Sequence, residues 1–122
     1  MPQLEILDAQ DTHLGPLVLR RRTIAALDGI DVFEVKLGEE FLMSSLFPEA
    51  EKELAHLGLE KLADGLWDVV VGGLGLGYTA VAALENPSVH SLVVVELFPQ
   101  VIEWHQRGLL PVGKLLAKDP RC

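Results

Sequence analysis

"DVVVGGLGLGYTAVAALENPSVHSLVVVEL", residues Asp68 to Leu97, decides the fold. Gly72, Gly73, Gly75 and Gly77 fall within six residues, between two valine-rich runs. Glycine loses more conformational freedom on folding than any other residue. In return it allows positive φ, a tight turn and close approach of another group to the main chain. The pattern reads as a strand (Val69–Val71), a glycine loop and a helix (about Tyr78–Glu85). A turn at Asn86-Pro87, a second strand (Leu92–Glu96) and a helix from Pro99 to about Gln106 follow. Two strands joined by a helix make a parallel βαβ unit.

Upstream the signals are those of β structure. "PLVLRRR" is strand-like, and Arg20-Arg21-Arg22 reads as its solvated end. In Asp31–Ser45, Phe33, Val35 and Leu37 alternate with Glu34 and Lys36, break at Gly38-Glu39-Glu40 and resume with Phe41-Leu42-Met43. That pattern predicts a hairpin with Glu34 on the polar face. A helix is expected over Pro48–Asp64, with proline at its start, glutamates in its first turn, Leu54, Leu57 and Leu62 as its apolar stripe, and Gly65 as its stop. After Gln106, "GLLPVGKLLAKDPRC" reads as a loop or short helix leading toward another strand. The expected fold is α/β: a β-hairpin and helix, then a truncated Rossmann-like βαβα unit with parallel strands. Residues 1–47 form the hairpin region, and residues 48–122 the helix plus the first half of a nucleoside-binding domain.

Composition narrows the function classes. Net charge is −8 over 122 residues, which opposes nucleic acid or an anionic membrane as partner. Fourteen of the 18 acids lie in residues 1–68, leaving the remainder apolar as a covered parallel sheet requires. The single cysteine, Cys122, excludes an internal disulfide. The N-terminus lacks signal-peptide character. The expected compartment is the cytoplasm. His13, His56, His90 and His105 show no metal-ligand spacing and read as surface or boundary residues, His90 in a turn. Trp104 fits a buried helix face with Val101.

Glu96 closes the second strand 23 residues after Gly73. Adjacent strand ends lie side by side in a doubly wound sheet, so a carboxylate there is placed to bind ribose hydroxyls. Tyr78 stands where a phosphate loop needs lysine, which excludes that loop. Gly75-Leu-Gly77-Tyr-Thr-Ala80 is a permissible dinucleotide fingerprint, so a NAD-binding half-domain stays open. The tight Gly-x-Gly-x-Gly from Gly73 to Gly77 favours an S-adenosylmethionine type of site. A glycine-rich turn without a ligand is the plain alternative.

"VVVGGLGLGYTAVAALENPSVHSLVVVELFPQVIEW" resembles the spermidine synthase-like branch of the S-adenosylmethionine-dependent methyltransferase superfamily. That branch carries a Gly-Gly-x-Gly-x-Gly loop, an acid closing the second strand and a Pro-x-Val-Ile/Val helix start. It also has a hairpin and helix upstream. The resemblance implies a transferase domain that binds an adenosine-containing small molecule, S-adenosylmethionine or its decarboxylated form. Gly73, Leu74, Gly75 and Gly77 would then line the ligand, with Glu96 and Leu97 at the ribose. Glu39-Glu40-Phe41 matches the family's lead into its acceptor segment. Met43-Ser44-Ser45 then replaces the Tyr-His-Glu that serves a polyamine acceptor. The family's adenine-contacting acid and catalytic Asp segment come after the point matched by Cys122, so the resemblance implies the front part of a larger fold. Two roles follow: the nucleoside half of a transferase, or a non-catalytic module. The strand Val69, Val70, Val71 would present an open apolar edge, covered in a homodimer or larger assembly.

Overall fold

The computed structural model describes residues 3–122; Met1 and Pro2, at the head of the expected hairpin region, lie outside it. Two compact units divide between Phe47 and Pro48. The first is an antiparallel meander in the order β1 (Leu4–Thr12), β2 (Gly15–Ile24), β3 (Ile30–Leu37) and β4 (Glu40–Ser44). The expected hairpin is present as β3 and β4, with Gly38 at φ 58° in its two-residue turn. Positive φ there is why the alternation breaks at a glycine.

β1 is an addition to the sequence expectation. Its register slips between Ile6 and Asp8, so the period-two pattern that announces a strand is interrupted. The arginine run also needs correction: it lies within β2 rather than at a solvated end. Arg20 Nε donates to Glu34 Oε1 at 2.8 Å and Arg22 Nη2 to Glu34 Oε2 at 2.9 Å, while Arg21 pairs with Glu5. Glu34, expected on the polar face, is 2% exposed. Register places Arg20 directly opposite Glu34 and Arg22 opposite Val32. Two guanidinium groups thus reach one carboxylate, as a buried charge requires. Val32 is buried on the Glu34 face, and Leu17, Leu19 and Val35 on the other, so β3 is covered on both sides.

The second unit contains α1 (Glu49–Glu60), β5 (Trp67–Gly72), α2 (Tyr78–Leu84), β6 (Val89–Val95), α3 (Pro99–Gln106) and α4 (Gly113–Lys118). β5 and β6 are parallel and joined through α2, a partial Rossmann-like fold after the antiparallel sheet. Ala80, Ala82 and Ala83 of α2 pack with Val71, Val89, Leu92, Leu116 and Ala55. The alanines keep α2 close to its neighbours: Thr79 Oγ1 donates to the Glu51 carbonyl of α1 at 2.9 Å. That proximity overturns the leucine stripe expected for α1. Ala55 and Leu59, four residues apart, face the core, whereas Leu54, Leu57 and Leu62 are exposed. His90 likewise lies in β6, paired with Asp68 across the parallel strands, rather than in a turn.

Arg121 had no sequence signal. Its guanidinium donates to the carbonyls of Leu84 (2.6 Å), Val89 (3.2 Å) and Asn86 (3.4 Å), so it satisfies the C-terminal end of α2 and the turn after it. Asp119 fixes that guanidinium, and the Arg121 carbonyl accepts from Leu92 N on the free side of β6 at 2.7 Å. Among the described residues, no helix is long and apolar enough to cross a membrane.

Candidate functional site

The loop between β5 and α2 is shaped by three left-handed glycines, Gly73 (φ 91°), Gly75 (φ 50°) and Gly77 (φ 89°). Gly73 N donates to the Val95 carbonyl at 2.7 Å, so the β5–β6 ladder continues into the loop before the chain turns away. The space beside Gly73 is open, with no atom within 4 Å of where a Cβ would stand. At Gly77 a Cβ would lie 2.7 Å from Val112 Cγ2, 3.0 Å from His105 Cε1 and 3.1 Å from Leu116 Cδ1. The two glycines have different reasons to be glycine. Gly73 keeps a surface bare, while Gly77 lets α2 begin in contact with α3 and α4.

Glu96 follows β6 directly. Its Oε1 accepts from Leu74 N at 2.9 Å and Gly75 N at 3.2 Å, and its Oε2 accepts from Phe98 N at 3.0 Å. One half-buried carboxylate therefore ties the glycine loop to the residue that opens α3. Charge-assisted bonds to backbone N–H groups are the stronger kind. Leu74 is half-buried in the loop, and Leu97 is exposed beside Glu96. Of the expected site residues, Gly73, Leu74, Gly75 and Glu96 come together. Gly77 stands behind them in the packing, and Leu97, next in the chain after Glu96, is exposed.

His105 joins this region from α3. It is 4% exposed, not a surface or boundary residue. Its Nε2 lies 2.8 Å from the Gly75 carbonyl; a carbonyl only accepts, so Nε2 carries the proton. Nδ1 is buried without a hydrogen-bond partner among the described residues. Burial pushes the imidazole below its ordinary pKa, against the opposing pulls of the Gly75 carbonyl and the Glu96 charge. The signal was available in the sequence. His105 lies four residues after Val101 and next to Trp104, both buried, so it belongs to the inner stripe of α3.

Among the described residues, no group of three His, Cys, Asp or Glu side chains is arranged to hold a metal ion. The terminal thiol of Cys122 is held above its ordinary pKa, first by burial and then by Asp119, and is neutral.

No protein-family model matches the sequence, and no curated protein matches it. In three dimensions the chain is similar to a spermidine synthase solved in complex with the transition state analogue AdoDATO, and to the spermidine synthase of Thermotoga maritima. Each comparison has 19% identity, a TM-score of 0.73 and covers 95% of this chain. The chain spans 37% of the first of those proteins and 39% of the second. This chain therefore has a spermidine synthase-like fold, over a part of that fold's length.

Proposed function

We propose that the glycine loop and Glu96 form the nucleoside-holding half of an S-adenosylmethionine-type site. On this reading the chain is a spermidine synthase-like transferase domain of the methyltransferase superfamily. Its ligand is an adenosine-containing small molecule, S-adenosylmethionine or its decarboxylated form. One observation carries the reading. Bare backbone at Gly73 stands beside a carboxylate that three main-chain N–H groups hold at the end of the adjacent parallel strand. A carboxylate has about four lone-pair sites, and three are taken. One ribose hydroxyl fits the site left on Oε2; a second would exchange with the Gly75 N–H, the longest of the three bonds at 3.2 Å. No residue is assigned to catalysis. Calorimetric titration with S-adenosylmethionine, its decarboxylated form and methylthioadenosine tests the ligand. Binding of at least one is expected. No heat from any of them removes the reading, and fluorescence titration showing NADH binding in their place would establish the dinucleotide alternative.

We also infer that the outer edge of β5 is covered by a second copy of this chain. Val70 is 69% exposed, and a cleft of about 290 Å³ runs along this edge between α1 and β5, lined by Leu54, Leu59, Val69 and Val71. β6 is the sole strand paired with β5 among the described residues. Unpaired apolar edges recruit strands. Light scattering is expected to give a dimer or larger species that Val70→Lys dissociates; a monodisperse wild-type monomer would overturn the inference.

A further inference from the structure

We propose that His105 is a positioning residue, and that its protonation state is linked to the order of the glycine loop. The proposal concerns the same loop as the nucleoside reading, but it stands on geometry that needs no ligand. Gly75 is gripped at both ends of its backbone. Glu96 Oε1 accepts from its N–H, and His105 Nε2 donates to its carbonyl. The two side chains come from different elements, the end of β6 and the body of α3. Together they fix the orientation of both peptide planes at a residue whose φ of 50° is left-handed. Nothing else in "GGLGLG" has a side chain able to hold the main chain, so orientation is delegated to these two groups.

The ring is also immobilised from behind. Its Cε1 lies where a Cβ on Gly77 would approach within 3.0 Å. A Cβ on Gly113 would meet the backbone of His105 at 2.6 Å, so α4 is seated directly on this turn of α3. The imidazole is therefore a wedge between the loop and α4, not a side chain free to swing.

Only one protonation state suits this wedge. In the neutral form Nε2–H donates to Gly75 and Nδ1 is a bare acceptor, a tolerable orphan in an apolar cleft that includes Leu92, Ile102 and Leu116. Protonation of Nδ1 adds a buried donor without an acceptor and a charge without water. Few neighbouring charges offset it. The loop has no ionisable group, and β6 leads into Glu96, whose charge pulls the imidazole pKa up but by less than burial lowers it. α4 offers Lys114 and Lys118, both exposed and of the wrong sign. α3 offers Glu103 and Arg107, which are exposed and face each other at 3.5 Å. The Cys122 thiol, on the cleft wall, is neutral.

The sign follows by linkage. The imidazole pKa is lowered in the folded state, so above the unfolded value near 6.5 both states are neutral and the contribution is complete. As pH falls below that value the unfolded or loop-open state takes the proton first, and loop order declines.

The test is hydrogen exchange by NMR from pH 8 to 5.5, corrected for intrinsic exchange, with the His105 ring signal followed in the same samples. The reporters are the Leu74 and Gly75 amides that Glu96 accepts. Their protection is expected to fall roughly five- to tenfold, about one net hydrogen bond, as His105 charges. His105→Gln keeps a donor near the Nε2 position without titrating, and its loop protection should stay level across the range. His105→Leu should lose protection at every pH; far-UV circular dichroism confirms that both variants are folded. Unchanged protection down to pH 5.5 would overturn the proposal, as would a fall of equal size in His105→Gln. A parallel titration with methylthioadenosine at pH 8 keeps the two readings apart, since absence of binding there removes the ligand and leaves the loop coupling standing.

Discussion

Gly77→Ala is expected to destabilise the Pro48–Cys122 unit by about 2–5 kcal/mol. Two independent costs combine. A left-handed φ of 89° costs an L-residue about 1–2 kcal/mol. The added methyl would stand 2.7 Å from Val112, 3.0 Å from the His105 ring and 3.1 Å from Leu116, and overpacking of that kind costs about 1–3 kcal/mol. Gly73→Ala separates the terms. Its φ is 91°, nearly the same, but its Cβ meets open space, so only the conformational cost applies. Urea denaturation should therefore rank the proteins wild type, then Gly73→Ala, then Gly77→Ala, with the larger gap at the second step. Equal losses would mean that α3 and α4 yield to the methyl, and that Gly77 is glycine for its φ alone. Ligand binding should rank the variants differently. A methyl at Gly73 intrudes on the surface left bare for a ligand, so this better-folded variant should be the poorer binder per folded molecule.

The same loop shows how far the sequence could be read. Valine runs, glycine spacing, Pro99 and Glu96 are local signals, and the elements they mark are present in the expected order, α3 over the predicted Pro99–Gln106, whereas β6, expected over Leu92–Glu96, begins three residues earlier at Val89 and ends at Val95. What escaped were residues whose role depends on another strand or helix. Glu34 obeys an alternation that puts it with Lys36, away from Phe33 and Val35. Only the pairing of β2 with β3 brings Arg20 and Arg22 to it and makes burial tolerable. Leu54 and Leu57 look like a core stripe because leucine is the obvious apolar residue; the close approach of α2 selects Ala55 and Leu59 instead. Arg121 collects three carbonyls from residues more than 30 positions earlier, which no spacing rule can anticipate. At the site, the sequence places glycine and acid near one another but is silent on how Gly75 is held, at both ends of its backbone, by side chains distant in the chain.

Glu96→Gln should cost stability and ligand affinity together, and the pattern of loss identifies what the carboxylate does. Both of its oxygens accept from the backbone, Oε1 from Leu74 and Gly75, Oε2 from Phe98. An amide has one acceptor oxygen. Turned toward the loop, it aims its NH2 at Phe98 N; turned toward Phe98, it aims NH2 at the two loop donors. Either way a donor faces a donor, so glutamine is not a silent isostere here, and a loss of about 1–3 kcal/mol is expected. Glu96→Ala leaves all three N–H groups without this partner, but it opens space through which water can reach them, so its stability loss should be of similar size. Affinity separates the roles. A ribose hydroxyl bound to a carboxylate is a charge-assisted bond of about 1.5–3 kcal/mol, so losing it should weaken methylthioadenosine roughly 10- to 100-fold. That loss must be measured on samples shown to be folded at the titration temperature. If folded Glu96→Gln binds as wild type does, the carboxylate is a loop clamp and nothing more, and the nucleoside must be held by the bare backbone at Gly73. If affinity falls in Glu96→Gln while Gly75 amide protection stays intact, the amide oxygen still holds the loop, and recognition of the ribose is the direct role of the carboxylate.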